Sequence, residues 1–372
     1  MDETPRNLKP FWVISGIIVL LLAVGGFLYG SKAIAGYYFK RGIQEFQGGN
    51  ITKAKPLFEK ALKFDSKNPE PHFYLGKLAL GKPDVGGPLL YPNANYPEAV
   101  DKYEAAIALN LKNKNYNNFK EALNDAGFAH WMLKQYPEAT AQYLELIELA
   151  PDTSFVARYY VALDYFDRSN KPAEALQILL PVFGLNTANL SVNGRTIYEK
   201  SVYRLQVLTA RLFSYSSDTS STKSFASAAI SAAGDNANVD VQIAHLILAQ
   251  QFAAEKNLKQ ALDEYQKADA LAEKTFSKKN IHQCILGKIY YYTGDYSQAI
   301  TTASGKIAGV TQFDYPKSIC LETLARTYMA KRDKAMAKQY LERYLAVTAE
   351  FKEKNIFVFR NREEFGKALQ DL

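Results

Sequence analysis

The chain of 372 residues is long enough for roughly two or three globular domains or for one elongated array of repeats. Hydrophobic residues make up 48% and charged residues 22%, which excludes a wholly disordered chain, and 21 glycines with 14 prolines exclude a collagen-like one. The net charge of +7 is small for this length, so a dedicated nucleic-acid binder is excluded and no nucleic acid is expected among the partners.

The first predicted element is a membrane-spanning helix. Residues 11–29 carry no charge, and they lie between Lys9 and Lys32. The 22 residues between these lysines would extend about 33 Å as an α-helix, against about 30 Å for the hydrocarbon core of a bilayer. The sequence therefore predicts a short tail over 1–9 and a transmembrane helix over 10–31, with the lipid bilayer as one partner.

A cleaved signal peptide is the alternative for this segment. Residues 33–35 read Ala-Ile-Ala, so cleavage near Ala35 would release a secreted or periplasmic protein. The uncharged stretch is longer than the apolar core of a signal peptide, which has roughly 7 to 15 residues, and this favours the anchor. A short basic tail before one apolar stretch predicts that the large domain lies outside the cytoplasm. Gly26 and Gly30 form a GxxxG pattern, which offers a face for a homodimer.

Amphipathic helices of about 12 to 15 residues follow residue 35, joined by short turns and without the alternation that is typical of strands. A small residue is followed by alanine twelve positions later in five places, namely Gly42/Ala54, Gly127/Ala139, Ala249/Ala261, Gly287/Ala299 and Ala325/Ala337. Two antiparallel helices cross closely only where their side chains are small. Each pair of small residues therefore predicts one helix hairpin.

The residues around these positions resemble the tetratricopeptide repeat family. The likeness is clearest in FQGGNITKAKPLFEKALKFDSKNPE at 46–70, AGFAHWMLKQYPEATAQYLELIELAP at 126–151 and LGKIYYYTGDYSQAI at 286–300. The resemblance implies an all-α fold, an α-solenoid of about seven helix pairs. The pairs are expected to start near residues 35, 69, 120, 154, 242, 280 and 318. They form an N-terminal array over 35–186 and a C-terminal array over 242–372, which ends in a capping helix from Asn361.

Three further features of the repeats are predicted from their spacing. A larger side chain four residues after each alanine is expected to fill the gap between pairs, as at Phe58, Tyr103, Tyr143, Tyr265 and Leu341, whereas Ala303 takes this place in one repeat. Residues 187–241 are expected to form a degenerate helical connector, with helices over 196–216 and 224–233 on either side of a serine- and threonine-rich run. Residues 81–96 form an insert with exposed apolar residues, expected to contact a partner or lipid.

No pattern in the chain predicts catalysis, a cofactor or a metal site. Residues 76–83 approach a phosphate-binding loop but end in Pro83 where that loop needs a hydroxyl. The four histidines are far apart in sequence, and His72 and His245 fit core positions of first helices better than metal-ligand positions. Cys284 and Cys320 form no CxxC pair, so each is expected to be a small buried apolar side chain in neighbouring repeats.

The resemblance implies that the first helices line a concave groove for a protein or peptide partner. The groove candidates are Lys40, Phe73, Tyr74, Lys77, Phe128, Arg158, Tyr159, Gln250, Lys288 and Arg326. Basic and aromatic side chains together favour an acidic peptide with apolar residues, and the alternative is that the cations only solvate exposed helix faces. Ile43 stands where chaperone-binding members of the family have asparagine, which argues against a chaperone tail as the partner.

The combined interpretation is a membrane-anchored scaffold or adaptor that binds a protein partner and has no enzymatic activity. Two alternatives stay open: a secreted or periplasmic repeat protein, and an accessory subunit of a membrane enzyme or of an envelope-assembly complex. The first repeat, residues 36–68, carries more basic than acidic side chains, which predicts a weak attraction to anionic lipids.

Overall fold

The computed structural model of the chain describes residues 30–81, 94–234, 238–275, 280–305, 307, 315–353 and 362–372. Every regular element in these ranges is helical, which confirms the all-α prediction for them. None of the helices found there is both long enough and apolar enough to cross a bilayer. The tail, residues 10–29 of the predicted transmembrane helix with Gly26, and residues 82–93 of the insert lie outside the described residues.

The chain divides into two compact units, Met1–Ala150 and Pro151–Leu372. The predicted array boundaries at 186 and 241 stay predictions. The helices of the first unit are α1 (30–47), α2 (Ile51–Phe64), α3 (Pro69–Leu80), α4 (Tyr96–Ala108), α5 (Leu111–Lys114), α6 (Tyr116–Met132) and α7 (Tyr136–Leu149). They form three antiparallel hairpins, α1/α2, α3/α4 and α6/α7, and the single turn of α5 lies between the second and the third.

The second unit consists of five further hairpins. Its helices are α8 (Phe155–Asp167), α9 (Pro172–Phe183), α10 (Val192–Tyr215), α11 (Thr219–Ala233), α12 (Val239–Ala254), α13 (Leu258–Thr275), α14 (Asn280–Thr293), α15 (Tyr296–Ser304), α16 (Tyr315–Ala330), α17 (Lys334–Glu353) and α18 (Arg362–Gln370). The first helices α8, α10, α12, α14 and α16 pack side by side in that order, and α18 packs on α17. The predicted connector thus contains a hairpin of its own, α10/α11.

In the first unit, an aromatic ring occupies the space that each hairpin glycine leaves. A Cβ on Gly42 would lie 2.6 Å from the ring of Phe58, and one on Gly127 would lie 2.8 Å from the ring of Tyr143. Such distances are too short for real contacts, so glycine is required at both positions. The Phe58 ring also reaches the next hairpin, since it stacks on Tyr74 of α3 with 5.2 Å between centroids. At Phe58 the predicted filling of the gap between hairpins is therefore confirmed. The structure further shows that the ring lies directly against the glycine of its own hairpin.

The α14/α15 hairpin is closed without a ring. A Cβ on Gly287 would lie 3.4 Å from the carbonyl oxygen of Ala299 and 3.3 Å from the Cβ of Ala303. This confirms the predicted close approach of Gly287 and Ala299. Ala303, which departs from the aromatic pattern, is fully buried in this contact.

The turns inside the hairpins share one backbone conformation. Each first helix is followed by a residue with positive φ, namely Gly49, Gly81, Lys134, Asn170, Ser217, Lys256, Gly294 and Arg332. At Lys134 the next N–H, that of Gln135, donates to the carbonyl of His130 at 2.9 Å, which closes the first helix in a Schellman motif. The same bond recurs from Asp333 to Tyr328 at 3.0 Å. Except in α3/α4, where the insert follows Gly81, these turns keep the connection between the two helices of a hairpin to a few residues.

The predicted linker between the connector helices is mostly helical. Asp218 accepts a hydrogen bond from the N–H of Ser221 at 3.0 Å, so α11 begins at Thr219 rather than at residue 224. Serine and threonine are poor helix formers in isolation, but an aspartate cap satisfies a free N–H group and fixes the first turn. The capped serine- and threonine-rich run therefore continues the hairpin.

Cys284 and Cys320 are joined in a disulfide bond, which the sequence analysis missed. Both residues are fully buried, as expected, but they bond to each other across α14 and α16. They are 36 residues apart in sequence and lie on first helices that pack side by side. Absence of a CxxC pair excludes a local redox motif but says nothing about cysteines that the repeat brings together. A bridge over a loop of this length contributes about 4 kcal/mol by restricting the unfolded chain.

Candidate functional site

Ion pairs join the first helices of successive hairpins. In the first unit, Lys77 of α3 lies 2.9 Å from Glu121 of α6. In the second unit, α10 is joined to both α8 and α12, and α16 to both α14 and α18. These contacts are Arg211–Asp167 at 3.1 Å, Arg204–Asp240 at 3.0 Å, Lys288–Glu322 at 3.4 Å and Arg326–Glu364 at 2.9 Å. The pairs therefore link neighbouring first helices within each unit.

Glu322 of α16 accepts hydrogen bonds from two cations, Lys288 Nζ at 3.4 Å and Arg326 Nε at 3.1 Å. Burial raises the pKa of Glu322, but attraction to these cations outweighs it and the net pKa lies below the ordinary 4.5. Burial lowers the pKa of Lys288, but Glu322 outweighs that effect and the net pKa lies above the ordinary 10.5. All three groups are therefore charged at neutral pH and partnered within the fold.

Arg326 also binds α18. Its two terminal nitrogens donate to the two carboxylate oxygens of Glu364 at 2.9 and 3.0 Å, a forked geometry that suits guanidinium and carboxylate. The guanidinium carbon lies 4.9 Å from the centre of the Phe365 ring, which is fully buried. On α16, the last of the first helices, the Arg326 side chain is thus covered by an acidic and an aromatic residue of α18.

Most of the groove candidates in the first unit belong to the core. Phe73 is 1% exposed and packs against Tyr103, and Tyr74 stacks on Phe58. The Lys77 ammonium, besides its ion pair, lies 5.6 Å from the Phe73 ring centre. Phe128 is buried as well and contacts the Tyr96 ring. Lys40 has an exposed side chain on α1.

The candidates in the second unit are also partnered within the fold. Arg158 is buried and donates to the carbonyls of Ile178 at 2.7 Å and Pro151 at 3.1 Å, so it fastens α8 to neighbouring backbone. Burial raises the pKa of Tyr159, which is partly accessible. Gln250 donates to the carbonyl of Leu246 in its own helix. In the first unit the side chain of Tyr74 is partly accessible, and in the second unit those of Tyr159, Gln250, Lys288 and Arg326 are.

Sequence reasoning found Lys77, Lys288 and Arg326 but missed the acidic residues that form ion pairs with them. One signal was present, because Lys288 and Glu322 are 34 residues apart, which is the repeat period. The other pairs have separations of 36 to 44 residues, so insertions in the turns hide the same register. Aligning opposite charges at the repeat period would have exposed the Lys288–Glu322 pair.

The histidines described by the structure have protein partners. His245 is buried and its Nδ1 lies 2.7 Å from Glu264, in agreement with its predicted core position, and His130 contacts both Gln135 and Glu104. His72 is half-buried, and burial lowers its pKa. In the described ranges, no three His, Cys, Asp or Glu side chains are grouped as a metal ion would require.

Hairpins stacked through their first helices define a tandem helical-repeat scaffold. The sequence profile of the tetratricopeptide repeat matches residues 320–350, which lie in α16 and α17. The match supports the resemblance drawn from the sequence at its C-terminal end. No curated protein shows a significant sequence match to the chain.

The chain shows weak similarity to several solved structures, each at low identity and with a TM-score below 0.5. The chain is similar to PilF of Pseudomonas aeruginosa, with 19% identity, a TM-score of 0.44 and coverage of 66% of this chain and 96% of that one. It is similar to a tetratricopeptide repeat protein of Parabacteroides merdae, with 16% identity, a TM-score of 0.45 and coverage of 79% and 99%. PilW, a type IV pilus biogenesis factor, gives 12% identity, a TM-score of 0.38 and coverage of 77% and 98%. No functional conclusion follows from likenesses of this strength.

Proposed function

We propose that the chain is a membrane-anchored scaffold that binds a protein or peptide partner on the face of its first helices. The observation that carries the proposal is the series of ion pairs that joins neighbouring first helices within each unit. Tandem helical repeats present the surfaces of such adjoining helices to partners. Helices that are already held side by side lose less conformational entropy on binding than mobile ones.

The partner we propose is an acidic peptide with aromatic or aliphatic side chains. Support comes from α18, where Glu364 and Phe365 of the chain itself contact Arg326. Upstream of α18, the rings of Tyr74 on α3 and Tyr159 on α8 are partly accessible. Charge-assisted hydrogen bonds and ring contacts would supply the affinity.

Site-specific photocrosslinking tests this proposal. A benzoylphenylalanine in place of Tyr74 or Tyr159 in the full chain should capture the same partner from intact membranes. The matched control is the same group at Leu144, an exposed residue on the second helix α7. Equal yields at Leu144 and at the two test positions would contradict binding on the first-helix face.

We also propose that residues 10–31 anchor the chain and that the large domain lies in an oxidising compartment. The disulfide of Cys284 and Cys320 supports the location, since such bonds persist mainly outside the cytoplasm. Helix α1 continues from residue 30 through the buried Ala35, which favours the anchor over cleavage at that residue.

Thiol trapping in intact cells tests the location. After denaturation in SDS, both cysteines should react with a maleimide polymer only if a reductant has been added. Reaction without reductant would show free thiols and contradict the oxidising compartment. The intact mass of the mature chain tests the anchor, because cleavage at Ala35 would remove the first 35 residues.

A further inference from the structure

One end of the first hairpin presents exposed rings among basic side chains. Tyr37 is 54% exposed on α1, and Phe64 is 41% exposed at the last residue of α2. Tyr38 stacks on Phe64 with 5.9 Å between centroids, so the two helices share one aromatic surface. Lys60 places its ammonium 5.6 Å from the Tyr38 ring centre, and Arg41 binds Tyr37 through its ring and hydroxyl.

We call this surface the basic-aromatic patch. It consists of Ile34, Tyr37, Tyr38, Arg41, Lys60, Lys63, Phe64 and Lys67. The basic members are exposed; the acids near them are Asp65, which is half-buried, Glu59 beside Lys60 on α2, and Glu45 one turn from Arg41 on α1. Large apolar side chains usually lie in the core, and this patch holds three of them at about half exposure beside four cations. Its composition is that of side chains which prefer the boundary between water and lipid headgroups.

The patch lies close in sequence to the predicted membrane-spanning segment. Helix α1 is described from residue 30, directly after the uncharged residues 11–29. Ile34 and Tyr37 therefore lie only about 6 and 11 Å along α1 from that point, by the rise of an α-helix. The headgroup region of a bilayer extends about 5 to 8 Å beyond the hydrocarbon core on each side. In an antiparallel hairpin, the turn after Phe64 is level with these first residues of α1.

We propose that the basic-aromatic patch docks on the surface of a bilayer that contains anionic lipids. The inference rests on the proposed anchoring of residues 10–31, which brings the patch to that surface. Docking would hold the first hairpin in a defined orientation to the membrane, whereas an anchor alone leaves the domain free to rotate. Because Tyr37 lies about 11 Å from the start of α1, its ring and that of Phe64 reach the headgroup region only when α1 tilts towards the bilayer, and the basic side chains of the patch then attract anionic headgroups.

Fluorescence quenching by brominated lipids tests the docking in the full chain. All variants carry Trp131→Phe, and the chain then has Trp12 alone, which reports on anchoring. The test variant adds Trp12→Phe and Phe64→Trp. The control adds Trp12→Phe and Tyr116→Trp, because Tyr116 is 43% exposed in the same unit and also has a lysine over its ring, Lys120 at 5.0 Å.

In vesicles with anionic brominated lipids, we expect quenching of Trp12 and of the tryptophan at position 64, and little at position 116. Quenching of Trp12 with equal, weak quenching at 64 and 116 would overturn the docking and leave the anchor intact. Weak quenching at all positions, Trp12 included, would overturn both. Strong quenching at 64 without quenching of Trp12 would support the docking and contradict the anchor.

Charge reversal separates docking from simple proximity to the membrane. In the Phe64→Trp variant, Lys60→Glu with Lys63→Glu should lower the ratio of docked to free chains, by about five-fold for each positive charge lost near the surface. The control is Lys53→Glu, an exposed position in the first turn of α2 at the other end of the hairpin. Equal quenching in both charge variants, or quenching independent of salt and of anionic lipid, would overturn the proposed electrostatic docking.

Discussion

The hairpins of the first unit and the α14/α15 hairpin solve the same packing problem in different ways. At Gly42, Gly76 and Gly127 an aromatic ring lies against the glycine, and the rings at Gly42 and Gly76 also contact the next hairpin. At Gly287 the second helix contributes Ala303 instead, and a disulfide joins α14 to the first helix of the next hairpin. A repeat can therefore lose its aromatic contact to a neighbouring hairpin if another link to the next hairpin replaces it.

The largest effect is expected from loss of that link. Replacing Cys284 and Cys320 together with serine should destabilise the second unit by about 4 kcal/mol, because the unfolded chain regains the entropy of an open loop. Hydrogen exchange, which reports stability region by region, should show faster exchange in α14 and α16 and unchanged exchange in α6 and α7. Faster exchange in all hairpins alike would contradict this, because it would show that the disulfide does not stabilise α14 and α16 locally as the aromatic ring stabilises the hairpins of the first unit.

The Glu322→Gln variant should destabilise the same region by about 3 kcal/mol, since it leaves Lys288 and Arg326 without their buried partner. The folded-state pKa of Glu322 is below 4.5, so its contribution is present above pH 4.5 and is lost as the pH falls through the lower folded value. Unfolding free energy measured against pH should therefore fall more steeply in acid for the natural chain than for Glu322→Gln. Parallel curves would contradict the depressed pKa. The Glu145→Gln variant, which changes an exposed glutamate on α7, serves as the control.

Alanine in place of glycine should separate the two kinds of hairpin. Gly127→Ala brings a Cβ to 2.8 Å from the Tyr143 ring, and such overpacking should destabilise the hairpin by about 2 kcal/mol. Gly287→Ala meets Ala303 at 3.3 Å, and the helix propensity gained, about 1 kcal/mol, should offset most of the strain. Thermal unfolding of the two variants measures the difference. Equal losses would mean that both hairpins are equally tight.

The smallest effect is expected in the turns, where both units are alike. Lys134→Gly and Arg332→Gly should each stabilise the chain by up to about 1 kcal/mol, because glycine adopts positive φ without a Cβ penalty. Gly49→Ala at an equivalent turn should destabilise by a similar amount. Chemical denaturation measures all three variants. A loss of stability in the lysine and arginine variants would show that these side chains contribute contacts that outweigh the backbone strain.

The hairpins were predictable because small residues must stand where helices cross, and Gly287 and Ala299 lie together as their spacing indicated. The connector was predicted less well, since the capping by Asp218 that starts α11 early depends on one side chain in a run of poor helix formers. The disulfide and the Lys288–Glu322 pair were missed for a common reason. Both join residues about one repeat apart, and the sequence was searched for equal residues at that period rather than for complementary ones.

The groove candidates illustrate the same limit. Periodicity placed Phe73 and Arg158 on first helices correctly, but it does not show which side of a helix a neighbour covers. Phe73 packs against Tyr103, and Arg158 donates hydrogen bonds to two backbone carbonyls. Exposure in a repeat is set by the adjacent hairpins, so it follows from the stack and not from any one segment.

The bond between Cys284 and Cys320 also changes how the chain would respond to a pulling force. The residues between the two cysteines cannot be drawn out while the bond is intact. A separation of 36 residues corresponds to about 120 Å of extended chain that does not lengthen under the force. A pulling force on the second unit would therefore extend the chain by that much less while the bond is intact.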